Sequence, residues 1–388
     1  MNIDAFLGYV KLTKLDRTLS FCPVAAAATV LVASSFPTNA LAQSSVTLYG
    51  SIDLGVSFAS NVGGSHQYRM SNGVEGPTRW GMTGREDLGG GLGAVFKLES
   101  GFNAANGSLG GGLAFNRQAY VGIQDERLGT LTVGRQWSPA TDLVSSFSLN
   151  ALYGGWYFSH PNDIDNLDYS FSIPNAVKYV SPKLGGATVE ALYAFGGQAG
   201  QFSNNSVYSG AASWAGGAFA ASIGYLRVYN PQTTVIGYQS GGGFVNAVYG
   251  TYLLNARSQD IFAAGVSYTL GPVKLLGNFT NVNFREGDAG QDVKFQNYEA
   301  AAVWSVAPDL FVYGGYTYTD GRNHATDQRP KYQQVNLGAN YQLSKRTGLY
   351  AIASLQKASG GAVAQIAGFN PSSNSKQVAG HIGINHYF

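Results

Sequence analysis

The chain has 388 residues, of which 45% are hydrophobic and only 12% charged, and it contains 52 glycines, 24 tyrosines and 21 phenylalanines. The charged share is about half of the roughly 25% usual in soluble domains, and the net charge of +2 gives no sign of a nucleic-acid partner. No run of about 18 apolar residues follows residue 42, which excludes a bundle of membrane-spanning helices and leaves a soluble all-β protein or a transmembrane β-barrel.

The N-terminal segment has the features of a secretion signal. Three basic residues precede an apolar stretch at 19–36, and "NALA" at 39–42 supplies the small residues that a signal peptidase needs. We therefore expect residues 1–42 to be a cleaved signal peptide and residues 43–388 to form one domain. The alternative is a retained first membrane helix, which Pro23 makes a poor span.

Sites for metals, cofactors or catalysis are not indicated. The only cysteine, Cys22, lies within the predicted signal, so residues 43–388 offer no thiolate ligand or disulfide. The five histidines lack metal-ligand spacing, and no G-x-S-x-G nucleophile motif occurs. "GGGLGA" at 89–94 reads as a turn between strands, not as the strand-to-helix turn of a dinucleotide site. We expect no cofactor, no metal and no enzymatic activity.

Alternating strands begin directly after the predicted signal. In "QSSVTLYGSIDLGVSF" (43–58) large apolar residues take one face, while threonine, tyrosine, serine and aspartate take the other. "IFAAGVSYTL" (261–270) and "QQVNLGANYQL" (333–343) repeat this pattern. One uniformly apolar face opposite a small polar face suits lipid outside and water inside, which favours a transmembrane barrel over a soluble sandwich.

The connections between strands alternate between short and long, as in an up-and-down outer-membrane barrel. The short ones fall at 86–92, 124–129, 181–186, 215–217, 270–273, 306–309 and 343–348. The long ones fall at 59–77, 103–114, 137–172, 197–205, 229–259, 284–292, 320–331 and 358–376. "FVNAVYGTYLL" (244–254) could be a strand, but one more strand would reverse every later connection, so we assign it to a loop and predict sixteen antiparallel strands.

The chain ends on "GHIGINHYF" (380–388), which alternates up to the last residue. Chain termini usually fray, whereas a closed barrel must pair its last strand with its first because an open edge is not tolerated in lipid. We therefore predict that Phe388 takes part in barrel closure.

Five motifs in order make the chain similar to the trimeric general porins of Gram-negative bacteria, in their beta-proteobacterial branch. They are "SSVTLYGSIDLGV" (44–56), "TRWGMTGREDLGGGLGAVFKLESGF" (78–102), "FNRQAYVGIQDERLGTLTVGRQWSP" (115–139), "NAVKYVSP" (175–182) and "GINHYF" (383–388). The resemblance covers nearly all of residues 43–388. It implies a homotrimer in the outer membrane, in contact with lipid, whose sixteen-stranded barrels are water-filled channels.

The 137–172 connection is longer than a loop at a barrel tip needs and is rich in aromatic residues, which is typical of a loop with a function. By resemblance to porins it folds into the barrel as the constriction loop. Its acidic residues are then candidates for one side of the pore constriction: Asp142, Asp163, Asp165 and Asp168.

Basic residues are candidates for the opposite wall. Alternation places Arg79 on a polar face, Arg135 on the face of Val133, and Lys178 opposite Val177. Arg117 shares a face with apolar residues, so its inward orientation rests on the resemblance alone. A charge facing lipid near the bilayer midplane costs about 2 to 4 kcal/mol, which favours an inward orientation for all four. The alternative is that these cations merely pair with wall carboxylates, as Lys97 and Glu99 would.

These features together predict passive diffusion of small hydrophilic solutes and ions, with a mild preference for anions. The competing interpretation is a surface adhesin or phage receptor that acts through the external loops at 229–259 and 358–376. A purely adhesive barrel would need a closed lumen, whereas the small polar inner faces favour an open one.

Overall fold

A computed structural model of the protein describes residues 45–234, 248, 255–287 and 290–388. The predicted signal peptide, residues 1–42, lies outside the described residues. So does the 244–254 segment, apart from Val248. No helix in the described part of the chain is long and apolar enough to cross a membrane.

Antiparallel strands make up most of the described chain. They are β1 (Ser45–Val62), β2 (Ser65–Asn72), β3 (Arg79–Gly89), β4 (Leu92–Gly101), β5 (Gln118–Asp125), β6 (Gly129–Gln136), β7 (Ile173–Val180), β8 (Ala187–Ala194), β9 (Val207–Gly216), β10 (Phe219–Tyr229), β11 (Ser258–Leu270), β12 (Val273–Arg285), β13 (Val293–Ala307), β14 (Leu310–Asn323), β15 (Lys331–Gln342), β16 (Thr347–Ser359) and β17 (Lys376–Tyr387). The helices are short: α1 (Pro139–Val144), α2 (Gly155–Phe158) and α3 (Pro231–Thr234).

The strands form a closed barrel with sixteen strand positions around its circumference. Each strand from β3 to β16 pairs with the next one along the chain, and β17 pairs with β1 from Ser51↔Tyr387 to Ala59↔Ala379. β2 pairs with residues 54–62 of β1, and β3 pairs with residues 45–51 of β1. The two strands β2 and β3 therefore occupy one strand position in the barrel. The prediction of sixteen antiparallel strands is confirmed.

The prediction of a long loop at 59–77 is wrong. β1 continues to Val62, turns at Gly63 and Gly64, and returns as β2. The chain leaves the sheet only at residues 73–78, between β2 and β3. Asp53 of β1 causes this break, since its carboxylate accepts the backbone N–H groups of Glu75 and Gly76 at 2.8 Å each. Those N–H groups are then not available to the ladder.

The C-terminal residue belongs to the closure. Phe388 and Gly50 exchange both backbone hydrogen bonds at 3.0 Å, which adds one rung beyond the end of β17. A Cβ atom on Gly50 would lie 2.3 Å from the Phe388 ring, so only glycine leaves room for that side chain. The terminal aromatic residue is therefore packed onto the first strand.

The connection at residues 137–172 lies inside the barrel. α1 packs against β9 and β10, and the amide of Gln334 on β15 donates to the Tyr157 carbonyl at 3.0 Å. The Tyr157 hydroxyl reaches Ser57 of β1 at 2.7 Å. Gly155 has a φ of +45°, and a Cβ atom there would lie 1.8 Å from the Val74 carbonyl oxygen, so the loop also touches the 73–78 break. We call residues 137–172 the inner loop.

Candidate functional site: the pore constriction

A cluster of cations surrounds one carboxylate on the wall opposite the inner loop. Alternation along β3 and β4 directs Arg79, Lys97 and Glu99 into the lumen. Glu99 is only 1% exposed, and its Oε2 atom lies 3.7 Å from both Arg79 Nε and Lys97 Nζ. The predicted pairing of Lys97 with Glu99 is therefore present, as part of a larger cluster that includes Arg117.

Arg117 points inward although its neighbours in sequence would place it outside. The β5 ladder begins at Gln118, so Arg117 precedes the alternation, and its backbone N–H donates to the Glu99 carbonyl. Its Nε atom then donates to Glu99 Oε1 at 2.7 Å. The guanidinium group also lies over the Trp137 ring, 5.0 Å from the centroid. The inward orientation inferred by resemblance has this local physical cause.

Arg135 is repositioned by an irregularity of β6. The pairing of β6 with β7 shifts register between Gly134 and Gln136, so Arg135 stands at a bulge. Its Nε atom donates to the Asn116 carbonyl at 2.7 Å. The side chain lines a cavity that Arg117 also lines. The bulge explains why alternation alone does not fix the direction of this side chain.

Lys178 of β7 joins the wall to the inner loop. Its Nζ atom lies 2.8 Å from Glu190 Oε2 on β8 and also donates to Asp142 at the start of α1. Lys178 and Glu190 are almost completely buried, whereas the Asp142 side chain remains 26% exposed. Asp142 is therefore the inner-loop aspartate that the structure brings against the basic wall.

Two cavities lie along this wall. One, of about 430 Å³, is lined by Arg117, Arg135 and Trp137 together with residues of the inner loop. The other, of about 470 Å³, is lined by Asp142, Lys178 and Gln118. Arg117 and Arg135 thus border one cavity and Lys178 borders the other, where their charges act on an ion that enters.

The other three inner-loop aspartates have different surroundings from Asp142. Asp163 is buried within the loop, where it accepts hydrogen bonds from the backbone of Asp168 and from the Ser170 hydroxyl, at 2.8 and 2.6 Å. Burial, followed by the negative charge of Asp165, raises the pKa of Asp163 to about 7. Asp168 is half-buried, and burial followed by the charge of Asp163 raises its pKa as well. None of the three is paired with a wall cation by an ion pair among the described residues.

Asp165 anchors the inner loop to the far side of the barrel. Its carboxylate accepts hydrogen bonds from His160 at 2.5 Å and from Thr280 of β12 at 2.6 Å. The second nitrogen of the His160 ring lies 3.1 Å from Glu299 of β13. Burial lowers the pKa of His160, but Asp165 and Glu299 outweigh that effect and raise it to about 10. The imidazolium is thus held between two carboxylates.

Sequence reasoning missed part of this site. Glu99 as the shared partner of three cations, Glu190 as the partner of Lys178, and His160 as the buried anchor were not identified as site residues. Glu99 and Glu190 do alternate onto the lumen face, so that signal was available. The contact between Asp165 and His160 depends on the fold of a loop whose sequence has no regular alternation of apolar and polar residues. The sequence therefore gave no such signal for this contact. Among the described residues no group of three or more His, Cys, Asp or Glu side chains could hold a metal ion.

Comparison with known proteins assigns the barrel to a family. A family model described as "Gram-negative porin" matches residues 26–361. The chain belongs to the Gram-negative porin family. An outer membrane porin protein of Bordetella pertussis is 30% identical over 400 residues, which covers 92% of this chain and 97% of the relative. Major outer membrane protein P.IB of Neisseria meningitidis serogroup B is 27% identical over 370 residues, with coverage of 92% and 98%.

A solved porin supports the same architecture. The anion-selective porin from Comamonas acidovorans matches with a TM-score of 0.72 and 26% sequence identity, covering 89% of this chain and 100% of that one. The protein is therefore an outer-membrane porin of a Gram-negative bacterium, a channel for passive diffusion. The family to which the chain belongs is one of channels.

Proposed function

We propose that this porin favours small anions over cations, and that the wall opposite the inner loop produces the preference. Five cationic side chains line the constriction and its cavities: Arg79, Lys97, Arg117, Arg135 and Lys178. Within the described part of the chain, the ion pairs of four of these cations, Arg79, Lys97, Arg117 and Lys178, involve three carboxylates: Glu99, Glu190 and Asp142. The excess of positive charge at the narrow zone is the observation that carries the proposal. The anion-selective porin from Comamonas acidovorans, a structural relative, agrees with it.

The proposed mechanism is size exclusion combined with a local electric field. The cations are held by Glu99 and Glu190 in fixed positions, so the field does not need to be assembled when an ion arrives. Arg79 and Lys97 keep 31% and 26% of their side chains exposed, which leaves them accessible to a hydrated ion. Asp142 lies across from them and partly offsets the field, which keeps the preference modest.

In this proposal the inner-loop aspartates divide into two groups. Asp142 contributes to the field, whereas the buried Asp163 and Asp165 shape or anchor the loop. Asp168 is within electrostatic reach of Arg117. The predicted roles of Arg79, Arg117, Arg135 and Lys178 in the wall are kept. Glu99 is added as their shared counter-charge.

We further propose that the porin is a homotrimer and that residues 1–42 are removed on export. The exterior of β1 and β2 supports the first point, because large apolar side chains there are among the most exposed: Val46, Leu48, Val56, Tyr68 and Met70. A contiguous apolar face of this kind fits either lipid or a neighbouring subunit. N-terminal sequencing of porin isolated from membranes tests the predicted cleavage after Ala42.

The test of this proposal is a planar-bilayer recording of the refolded porin under a salt gradient. We expect conductance steps that close in threes and a zero-current potential of the sign that indicates anion passage. A potential of the cation sign, from protein that conducts normally, would contradict the anion preference. Steps that close singly would contradict the trimer and leave the selectivity proposal intact.

A further inference from the structure

A second acidic group of the lumen lies on the 73–78 break and takes no part in the cation cluster around Glu99. The break is held against the inner face of β1, because Asp53 binds the backbone N–H groups of Glu75 and Gly76. The Ser51 hydroxyl also donates to the Pro77 carbonyl at 2.7 Å. The break therefore carries the Glu75 side chain into the lumen, where it contacts side chains of β15 and β17.

Neutral groups hold the Glu75 carboxylate in place. One of its oxygens accepts a hydrogen bond from the Asn340 amide of β15, and the other accepts one from the Asn385 amide of β17. The oxygens of these two amides are themselves occupied, by Gln342 Nε2 at 2.7 Å and by the Gly348 N–H at 3.0 Å. Both amides thus direct their N–H groups at Glu75, and a carboxylate that accepts on both oxygens fits the ionised form.

No ion pair within the described part of the chain involves Glu75. Other carboxylates of the barrel, such as Glu99 and Glu190, each contact a lysine or an arginine. Glu75 is only half-buried, and a carboxylate offers about four acceptor positions, of which the amides use one on each oxygen. The side chain can therefore accept a further hydrogen bond from a cationic group that enters the lumen.

Aromatic rings lie near this carboxylate. The Tyr153 ring of the inner loop stacks on Tyr313 of β14 with centroids 4.7 Å apart, and the Phe311 ring lies 6.0 Å from Tyr153. Glu75 is within electrostatic reach of both tyrosines. Tyr153 and Phe311 are half-buried and so remain partly open to the lumen. Aromatic rings attract ammonium groups electrostatically, so these rings and Glu75 favour the same kind of group.

A positive group faces the same stretch of the lumen. Ser51 of β1 is the register partner of Arg79 on one side and of Tyr387 on the other, so all three lie at one level of the barrel. Tyr387 is 45% exposed and within electrostatic reach of both Arg79 and Glu75. Arg79 keeps 31% of its side chain exposed. A small solute near Tyr387 therefore meets a guanidinium group and a carboxylate together.

We propose that Glu75 binds the ammonium group of zwitterionic solutes while Arg79 binds their carboxylate. The solute class is small molecules with one ammonium and one carboxylate group. The inference rests on the proposed function, because Arg79 belongs to the basic wall. A zwitterion forms charge-assisted hydrogen bonds at both ends, whereas a simple anion forms them only at Arg79. Glu75 is thus the residue that distinguishes zwitterions from simple anions in this channel.

The experiment records the refolded full-length porin in planar bilayers at neutral pH. The ω-amino acids from β-alanine to 6-aminohexanoate are added in turn, and the decrease of the open-channel current is measured. For the most effective member, two matched probes each lack one charge: its N-acetyl derivative keeps the carboxylate, and its carboxamide keeps the ammonium group. Glu75→Gln is the test variant. Glu126→Gln is the control, since it removes an exposed carboxylate from the short turn between β5 and β6.

In the wild type we expect the zwitterion to reduce the current at a lower concentration than either probe. Glu75→Gln should raise the half-blocking concentration of the zwitterion about fivefold, the effect of one charge pair at about 4 Å in water. It should not weaken the block by the N-acetyl probe, and Glu126→Gln should behave as the wild type. Equal block of the wild type and of normally conducting Glu75→Gln channels would overturn the proposal.

The probes also test the proposal on the wild type alone, whether or not the variant folds. An N-acetyl probe that blocks as well as the zwitterion would show that the ammonium group is not bound, and would overturn the Glu75 site. The zero-current potential of the same channels under a salt gradient tests the proposed function separately. A potential of the cation sign together with zwitterion-specific block would contradict the anion preference and support the Glu75 site.

Discussion

The two sides of the inner loop carry the same kind of side chain and use it differently. On the lumen side Asp142 pairs with Lys178 and remains 26% exposed. On the far side Asp165 is fully buried, between His160 and the hydroxyl of Thr280. The first carboxylate contributes to the field that an ion meets, and the second fastens the loop to the barrel. Burial, and not the presence of an acidic residue, decides which role an aspartate of this loop has.

The largest effect is expected from Asp165→Asn, which tests the anchoring side. The buried imidazolium of His160 would lose its closest counter-charge, and breaking a buried pair costs about 3 to 5 kcal/mol. We expect the free energy of unfolding in denaturant to fall by about 3 kcal/mol, because Glu299 still contacts the ring. Wild-type stability in this variant would show that the ion pair does not anchor the loop.

The pH dependence of stability sharpens the same comparison. The pKa of His160 in the folded state is raised from 6.5 to about 10, because Asp165 outweighs the effect of burial. A raised pKa gives stabilisation that is fully present below about pH 6.5 and is lost as the pH rises through 10. We expect the thermal stability of the barrel to decrease between about pH 8 and about pH 10, which is the upper part of that window.

His160→Gln is the control for this pH dependence. The variant lacks the titrating ring, so its stability should decrease less over the same pH range than that of the wild type. Equal slopes for both proteins would assign the alkaline loss to other groups and would contradict a charged His160.

The smallest effect is expected from Asp142→Asn, on the lumen side. Lys178 keeps Glu190 at 2.8 Å, so the free energy of unfolding should change by about 1 kcal/mol or less, as for partly exposed ion pairs. The zero-current potential should instead move towards stronger anion preference, because one negative charge leaves the constriction. A large loss of stability without a change in selectivity would reverse the roles assigned to the two sides.

Much of this architecture could be predicted from the sequence because it repeats. Alternation and the order of short and long connections predicted sixteen strands, and Lys178 and Arg79 were placed on the lumen face by the same period. The break at 73–78 was missed because it depends on a side chain of another strand, Asp53, that binds two backbone N–H groups. The local alternation of apolar and polar residues does not reveal a contact with a side chain of another strand.

Irregular positions limited the prediction of the site. Arg117 turns inward because it precedes the first rung of β5, and Arg135 is turned by a bulge. Asp163 and Asp165 were predicted to face the wall, but the folded loop buries both. A loop without a period does not show in sequence which of its carboxylates reach water, so the division between Asp142 and the others required the structure.

The central claim is that the cations around Glu99 set the ion preference of the pore. The most direct test compares Arg117→Ala and Glu99→Gln with the wild type in planar bilayers under a salt gradient. We expect the permeability ratio to shift by about two- to threefold, the size expected for one charge several ångströms from an ion in water. Arg117→Ala should move the zero-current potential towards cations and Glu99→Gln towards anions. Shifts of the same sign, or no shift from two normally conducting variants, would contradict the account.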